Sequence, residues 1–421
     1  MNGATFRAAA LATMLCCGCM EFTTPGADGA IATTDTGGSG GSAAGGGGAG
    51  GGGGAVDLDE RVHMALAFAE EQLVAAVKEV GDPTRYPQSA GDSGPWATTD
   101  RTEWTSGFFP GCLWLMHEHT GRDDFRTWAE QWTQNLEAQK DWTGGHDVGI
   151  QILSSFGQGL RIANVEGYRG VVMAAATSLD SRYDPEIGCF RSWDWGLWSF
   201  PVTSGSMISI DLLFRAQAMG GPASLRVHAL SHAHRMMAEH IRPVGSTYRI
   251  VDFDPDTGDV RWKGNLPRLD DEATWSRGMA YKFYGFTRAA RRTGNSVLLA
   301  TAERLASWFI DHLPLDHVPV WAFEVPGPVE QPRDTVAAAV AASALLELAQ
   351  SASTADKRAE YRNAAHAILL SLTSPDYLAA GTESSAILLQ GLHNDRSQSV
   401  IAGDYYFIEA LLRYLEDSSQ P

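Results

Sequence analysis

The strongest constraint on the fold is the way apolar residues recur. From Asp57 onward they return at helical spacing, in stretches of roughly 12 to 24 residues separated by short breaks that carry Gly or Pro, the signature of one buried helix face. These stretches fall at 57–80, 108–120, 123–139, 148–163, 167–182, 205–219, 222–240, 272–293, 295–312, 333–350, 354–371 and 403–416. The breaks Thr120-Gly121-Arg122-Asp123, Val165-Glu166-Gly167-Tyr168, Gly220-Gly221-Pro222, Thr293-Gly294-Asn295 and Thr354-Ala355-Asp356 each precede an Ala-rich helix with a largely polar face. They recur about 45 to 75 residues apart, which suits a helix-pair repeat with variable loops. Six such pairs closed into a ring bury inner helices inside outer ones and need no sheet. The expected fold is therefore all-α, an (α/α)6 toroid or six-hairpin barrel. A small β-hairpin insertion is expected at 244–253 and 260–262, turning at Asp256-Thr257-Gly258.

The N-terminus is of another kind. Arg7 precedes a short apolar run at 8–15, followed by Cys16, Cys17, Gly18 and Cys19. A membrane span needs roughly 18 or more apolar residues, so the run reads as a secretion signal. A small residue directly before a cysteine fits lipoprotein processing and makes Cys19 the expected lipidated residue, with residues 1–19 as the leader. Cys16 stands where such signals usually have an apolar residue, so plain secretion is the other reading. Residues 20–56 are dominated by Gly, Ala, Ser and Thr and cannot offset the entropy of ordering. They are expected to form a disordered tether with an end-to-end distance on the order of 30 to 35 Å. The expected organisation is leader 1–19, linker 20–56 and one folded body, 57–421. The expected location is exported and membrane-anchored through a lipid, facing the periplasm or the cell surface.

The net charge of −18 argues against nucleic acid and against anionic membrane surfaces as partners. It does not disfavour a small anionic substrate, which needs only one well-placed cation. Cys112 and Cys189 are the two cysteines of the body. They make neither a disulfide framework nor a zinc site, and whether they pair is open. No metal and no cofactor is expected. Of the 13 tryptophans, Trp96, Trp104, Trp142, Trp193, Trp195, Trp198, Trp262, Trp275 and Trp321 fall in connections. Loops lie at the surface and carry function, so these residues suit sugar faces at one mouth of the toroid.

Two aspartates stand out. Asp211 sits inside the apolar run Met207-Ile208-Ser209-Ile210-Asp211-Leu212-Leu213-Phe214. Desolvation there would hold its proton near neutrality, as a general acid requires. The competing reading is an ion pair with Arg215, four residues on. Asp147, in Gly144-Gly145-His146-Asp147-Val148-Gly149, stands where a helix begins. It is either a helix cap or a carboxylate of the site, and the two are compatible.

Trp104-Thr105-Ser106-Gly107-Phe108-Phe109-Pro110-Gly111, His146-Asp147-Val148-Gly149, Ile210-Asp211, Trp275-Ser276-Arg277-Gly278 and Gly403-Asp404-Tyr405-Tyr406-Phe407 follow one another in the order and spacing of a known family. Over 57–416 the chain resembles the unsaturated glucuronyl hydrolases, glycoside hydrolase family 88. The resemblance implies the (α/α)6 barrel and removal of the Δ4,5-unsaturated uronate that polysaccharide lyases leave at non-reducing ends. In that chemistry an aspartic acid protonates C4 of the vinyl ether, and a water that it activates adds at C5. The hemiketal then collapses. By motif position Asp211 is the implied acid/base and Asp147 the second carboxylate. Trp104 and Trp275 are implied ring-stacking residues, His146 a substrate hydrogen-bonding histidine, and Arg277 a cation for the uronate carboxylate. Two departures bear on substrate preference: Asn265-Leu266-Pro267-Arg268 replaces a Thr-His-Gln-like element, and Tyr281 stands where a tryptophan is expected.

An unsaturated rhamnogalacturonyl hydrolase and a non-catalytic glycan-binding lipoprotein are the competing readings. Sugar epimerases on similar toroids would need paired catalytic histidines, whereas His228, His232 and His234 are expected on an outer helix. The expected partners are unsaturated uronate-terminated oligosaccharides.

Overall fold

The computed structural model describes residues 57–421, apart from residue 92 and residues 267–268, 326–330, 394–395 and 419–421. The leader, Cys19, the Gly-rich linker and Pro267-Arg268 lie outside the described residues.

The helices are α1 (Leu58–Val80), α2 (Phe108–Thr120), α3 (Asp123–Gln134), α4 (Val148–Ser154), α5 (Phe156–Ala163), α6 (Tyr168–Asp180) and α7 (Ser206–Ser209). They continue with α8 (Asp211–Ala218), α9 (Ala223–His240), α10 (Ser276–Thr293), α11 (Ser296–Asp311), α12 (Thr335–Ser351), α13 (Ala355–Leu372) and α14 (Ile401–Ser418). Three of the expected rods are broken, that at 123–139 ending at Gln134 ahead of the 3-10 turn Glu137–Asp141. The rod at 148–163 kinks at Ser155 (φ −101°, ψ −87°) to give α4 and α5. There the Ser154 and Ser155 hydroxyls donate to the carbonyls of Ile150 and Gln151, at 2.7 and 2.6 Å, a back-bonding that bends helices. The rod at 205–219 divides at Ile210 into α7 and α8.

Packing closes the inner rods into a ring: α2 meets α4, α4 meets α7, α7 meets α10, α10 meets α12, α12 meets α14, and α14 returns to α2. Each carries one outer helix on its back: α3 on α2, α6 on α4 and α5, α9 on α8, α11 on α10, α13 on α12, and α1 on α14. This is the expected (α/α)6 toroid. Composition sorts the layers. Every residue of α12 from Thr335 to Ala349 is buried, as an all-round apolar helix requires. Its outer partner α13 buries only the stripe Tyr361, Ala365, Ile368, Leu369 and Leu372. Where inner rods cross, side chains are excluded altogether. A Cβ on Gly149 would lie 2.6 Å from the Ser209 carbonyl, and one on Gly285 would lie 2.5 Å from that of Met207.

The expected hairpin is present with a later start. Ile250–Phe253 pairs antiparallel with Val260–Gly264, Val251 facing Lys263. Residues 244–249 instead turn, with the Arg242 N–H donating to the Ser246 carbonyl and Tyr248 N–H to that of His240. A third strand, Pro201–Thr203, lies on the other edge with Val202 facing Val251. That strand leads directly into α7, so the small sheet fixes where α7 begins.

The inner rods all start at the same end. Phe108 at the head of α2 packs on Tyr405 and Tyr406 of α14. Arg277 of α10 reaches Asp334 ahead of α12, and the Gly278 position abuts Ser204 ahead of α7. The far ends meet in the same way. Arg161 of α5 pairs with Glu118 of α2, and Arg288 of α10 pairs with Glu347 of α12 and Glu409 of α14. The barrel thus has a mouth of helix starts and a floor of helix ends.

Candidate active site

At the mouth, Asp147 ends the turn before α4. Its side chain makes no capping hydrogen bond, which leaves the carboxylate to the site. That side chain is 32% exposed, and its Oδ1 lies 3.3 Å from Nε2 of buried His146. His146 is fixed from behind, since its Nδ1 and its backbone N–H both meet the Ser192 carbonyl, at 3.1 and 3.0 Å. With Nδ1 turned to that carbonyl, Nε2 is the nitrogen that faces Asp147, and a hydrogen bond between the two needs a proton on one of them. Gly205 lies against the same nitrogen, where a Cβ would stand 3.1 Å from Nε2. The α7–α8 rod therefore presents a glycine, not a carboxylate, to His146.

The aromatic walls come from neighbouring rods. Trp104, half-buried in the 3-10 turn Trp104–Gly107, stands edge-on to Phe108 at 5.8 Å. Gln151 of α4 holds this turn by donating from Nε2 to the Glu103 carbonyl (2.8 Å) and to Ser106 Oγ (3.2 Å). Trp275, half-buried ahead of α10, carries the guanidinium of Arg249 over its ring at 3.9 Å. Tyr281, one turn into α10, lies edge-on to Trp275 at 6.3 Å. Its buried hydroxyl has no hydrogen-bond partner among the described residues. Burial pushes its pKa up, with the charge of Asp147 among the lesser contributors. Trp104, His146, Asp147, Trp275, Arg277 and Tyr281 thus share one mouth.

Arg277 is there in a different capacity from the one expected. Its Nε and one terminal nitrogen donate to the two oxygens of Asp334, at 3.0 and 2.8 Å, and it also donates to the Leu392 carbonyl at 2.8 Å. Asp334 in turn caps α12 by accepting from the N–H groups of Val336 and Ala337. The expected uronate clamp is largely spent on tying the starts of α10 and α12 together.

Asp211 requires a correction. It opens α8, and its oxygens accept from Arg215 and Arg292, both at 2.9 Å, with Arg288 3.6 Å away. Burial alone would raise its pKa, but the charges of Arg215, Arg292 and Arg288 outweigh it and hold the carboxyl well below the usual range. The expectation of a proton retained near neutrality is thus reversed. The location also differs. Arg288 lies eleven residues beyond Arg277 on α10, about 16 Å of helix rise, so Asp211 sits toward the floor and not beside Asp147. A cavity of about 520 Å3 opens there, lined by Arg161, Arg215, Arg288, Arg292 and Arg413 among others. Of the two readings open in the sequence, the Arg215 ion pair is the one formed.

The tryptophan loop after Phe190 joins the mouth. Gly145 bridges to Trp193, and Ser192 binds both His146 and Thr203, whose N–H donates to Ser192 Oγ at 2.9 Å. Trp193 and Trp195 stack at 4.9 Å, Trp198 lies edge-on to Trp193, and Trp262 leans on Trp198. Trp195 is 55% exposed. His232 faces inward from outer helix α9, receiving the Phe190 N–H at Nδ1 and meeting Ser206 Oγ at 2.9 Å, so it braces the start of α7. Asn265 holds its own loop through the Asp270 and Ala273 carbonyls. Cys112 and Cys189 are buried free thiols. Among the described residues no group of acidic, His or Cys side chains forms a metal site, and no helix is long and apolar enough to cross a membrane.

Sequence reasoning missed Arg249 and Asp334. Asp334 had a readable signal, an aspartate just before an Ala-rich run. Arg249 comes from a strand margin, where no period marks a facing direction.

No family model matches the chain. It is 35% identical to an unsaturated glucuronyl hydrolase of Formosa agariphila over 74% of this chain and 80% of that one. It is 32% identical to the unsaturated glucuronyl hydrolase of Bacillus sp. strain GL1, over 80% and 92% of the two chains. A solved unsaturated glucuronyl hydrolase specific for heparin superposes with a TM-score of 0.82 at 30% identity, covering 86% of this chain and 99% of that one. An Asp-to-Asn variant of the Streptococcus agalactiae enzyme, complexed with dGlcA-GalNAc6S, superposes with a TM-score of 0.72 at 26% identity over 85% and 92% of the two chains. Toroid, mouth and relatives agree: the chain belongs to the unsaturated glucuronyl hydrolases, glycoside hydrolase family 88, and is a glycosidase.

Proposed function

We propose that the mouth binds a Δ4,5-unsaturated uronate at the non-reducing end of a lyase-generated oligosaccharide and hydrates its vinyl ether. One observation carries the reading: Asp147 is a helix-start carboxylate that caps nothing, rests against an oriented histidine and shares the mouth with Trp104, Trp275 and Tyr281. The aromatic faces suit the sugar ring, and the Arg249 guanidinium over Trp275 supplies positive charge near the substrate carboxylate. Proton transfer to C4 makes an oxocarbenium ion at C5. Water adds there, Asp147 takes its proton, and the hemiketal opens to release the shortened sugar. The relatives' ligands, dGlcA-GalNAc6S and dGlcA-Glc-Rha-Glc, support this substrate class.

Because α7 offers Gly205 to His146, the proton transfers fall to carboxyls outside that rod. A panel of lyase-generated disaccharides tests the reading: hydration removes the conjugated-alkene ultraviolet absorbance, and persistence of that absorbance across the panel overturns it.

For residues 1–56 we propose an exported lipoprotein leader processed at Cys19, followed by a tether. Removing them is expected to leave turnover and Tm nearly unchanged while releasing the body from membranes. A large drop in either property contradicts a tether.

A further inference from the structure

The hydration needs a proton donor as well as a water-activating base, and the corrected position of Asp211 leaves the donor unassigned. Most carboxylates at the mouth are committed. Asp334 holds Arg277 and caps α12, Asp404 accepts from the N–H groups of Ile387 and Leu388, and Glu324 accepts from Thr274 Oγ1. Glu103 and Asp147 stand next to each other at the turns ahead of α2 and α4. Glu103 immediately precedes the turn that carries Trp104, and its backbone is pinned there. Its carbonyl accepts from Gln151 Nε2 at 2.8 Å and from the Ser106 N–H at 3.0 Å. Its side chain does not cap that turn. The carboxyl is half-buried and lies near the Gln88 side chain and the carboxylates of Asp147 and Asp100. No lysine or arginine pairs with it among the described residues. We propose that Glu103 is the second carboxyl of the reaction, giving its proton to C4 while Asp147 takes one from the water that adds at C5.

This inference rests on the hydrolase reading above. A neighbouring carboxylate disfavours the charged form of a carboxyl, which suits Glu103 to the donor's part. Burial, and then the charge of Asp147, raise the pKa of Glu103, whereas Asp147 meets His146. The step balances. The Glu103 O–H bond breaks as the C4–H bond forms, and a water O–H bond breaks as the C5–O bond forms, its proton passing to Asp147. Return of that proton to Glu103 through solvent resets the pair, and the net consumption is one water.

The test uses the full chain with an unsaturated disaccharide. Glu103→Gln is expected to lower kcat/KM by about 10²- to 10⁴-fold with KM little changed, and to erase the alkaline limb of the pH–rate profile. Glu103→Asp should restore part of the rate with the limb displaced. A carbon-13 titration of the glutamate carboxyls should find Glu103 above the ordinary glutamate range, falling in Asp147→Asn. Wild-type turnover with an unchanged alkaline limb in Glu103→Gln overturns the assignment. So does a Glu103 titration indifferent to Asp147→Asn. If the wild-type chain leaves every disaccharide of the panel intact, the hydrolase reading fails. The carboxyl titration then decides by itself whether the two groups are coupled.

Discussion

The two ends of the barrel use aspartate in opposite ways. At the mouth, Asp147 is partly open, caps no helix and has a histidine as its neighbour. At the floor, Asp211 has a 7% exposed side chain and is surrounded by Arg215, Arg288 and Arg292. Both belong to inner rods, and both look anomalous in the sequence. What separates them is the charge that other rods bring. The floor gathers helix C-termini, where arginines complement both the dipole and the glutamates of α12 and α14. The mouth gathers helix starts, where a carboxylate is favoured without a paired cation and remains available for chemistry.

The largest expected effect belongs to the mouth. Asp147→Asn should lower turnover by about 10²- to 10⁴-fold, the usual range for a lost acid or base, with little change in Tm because the side chain supports no helix end. Turnover within a factor of two of wild type would break the comparison at its functional end.

The floor should answer in stability. Asp211→Asn leaves Arg215 and Arg292 without their carboxylate, and removing one partner of a buried pair typically costs about 3 to 5 kcal/mol. Activity per folded molecule should stay near wild type. The pH dependence follows from the lowered pKa of Asp211 and of Glu347, the latter held at about 2 by Arg288, Arg413 and Arg291 against burial. Folded-state values below those of the unfolded chain mean that this stability is complete above the ordinary carboxylate range and is lost as pH falls through the folded values. Acid unfolding should therefore be less steep in Asp211→Asn than in wild type. Loss of turnover at unchanged Tm would instead return Asp211 to the chemistry.

Asp404 gives a smaller effect of the opposite sign. Burial raises its pKa to about 7 despite the two backbone N–H groups that it accepts. A raised folded value means that its contribution is complete below the ordinary value of 3.8 and dwindles as pH climbs through about 7. Asp404→Asn should remove that slope from denaturant midpoints measured between pH 4 and 8. An unchanged slope would show that the two N–H groups keep the carboxylate ionised.

Most of the architecture was legible because it is local. Period, capping residues and Gly breaks placed the rods within a few residues of their observed ends, down to the start of α2 at Phe108 and the caps Asn295 and Thr354. The breaks at Ser155 and Ile210 were not legible, since the apolar period runs through both. The site was readable where motif residues face one mouth, and unreadable where a distant charge decides a role. Asp211 looked like a desolvated acid until Arg292, 81 residues on, reached it. Arg277 looked like a free cation until Asp334, 57 residues on, took its fork. Helical spacing tells which face a residue occupies, but not which end of a toroid it reaches or which charge meets it there.

The smallest expected effect tests how far the mouth extends. Trp193 and Trp195 are stacked, Trp195 is more than half exposed, and their loop is tied to the turn of His146 and Asp147 through the Gly145–Trp193 bridge and the Ser192–His146 bonds. An exposed indole face on a tethered loop suits a sugar beyond the one being released, so only longer substrates should feel it. One aromatic contact is worth about 0.5 to 1.5 kcal/mol, or roughly 2- to 12-fold in affinity. Trp195→Ala should raise KM by about that factor for an unsaturated tetrasaccharide, leave kcat unchanged, and leave the disaccharide unaffected. Equal weakening for both substrates would place the indole against the terminal uronate itself. No effect on either would confine recognition to the ring between Trp104 and Trp275, and leave the stacked pair as packing for the loop.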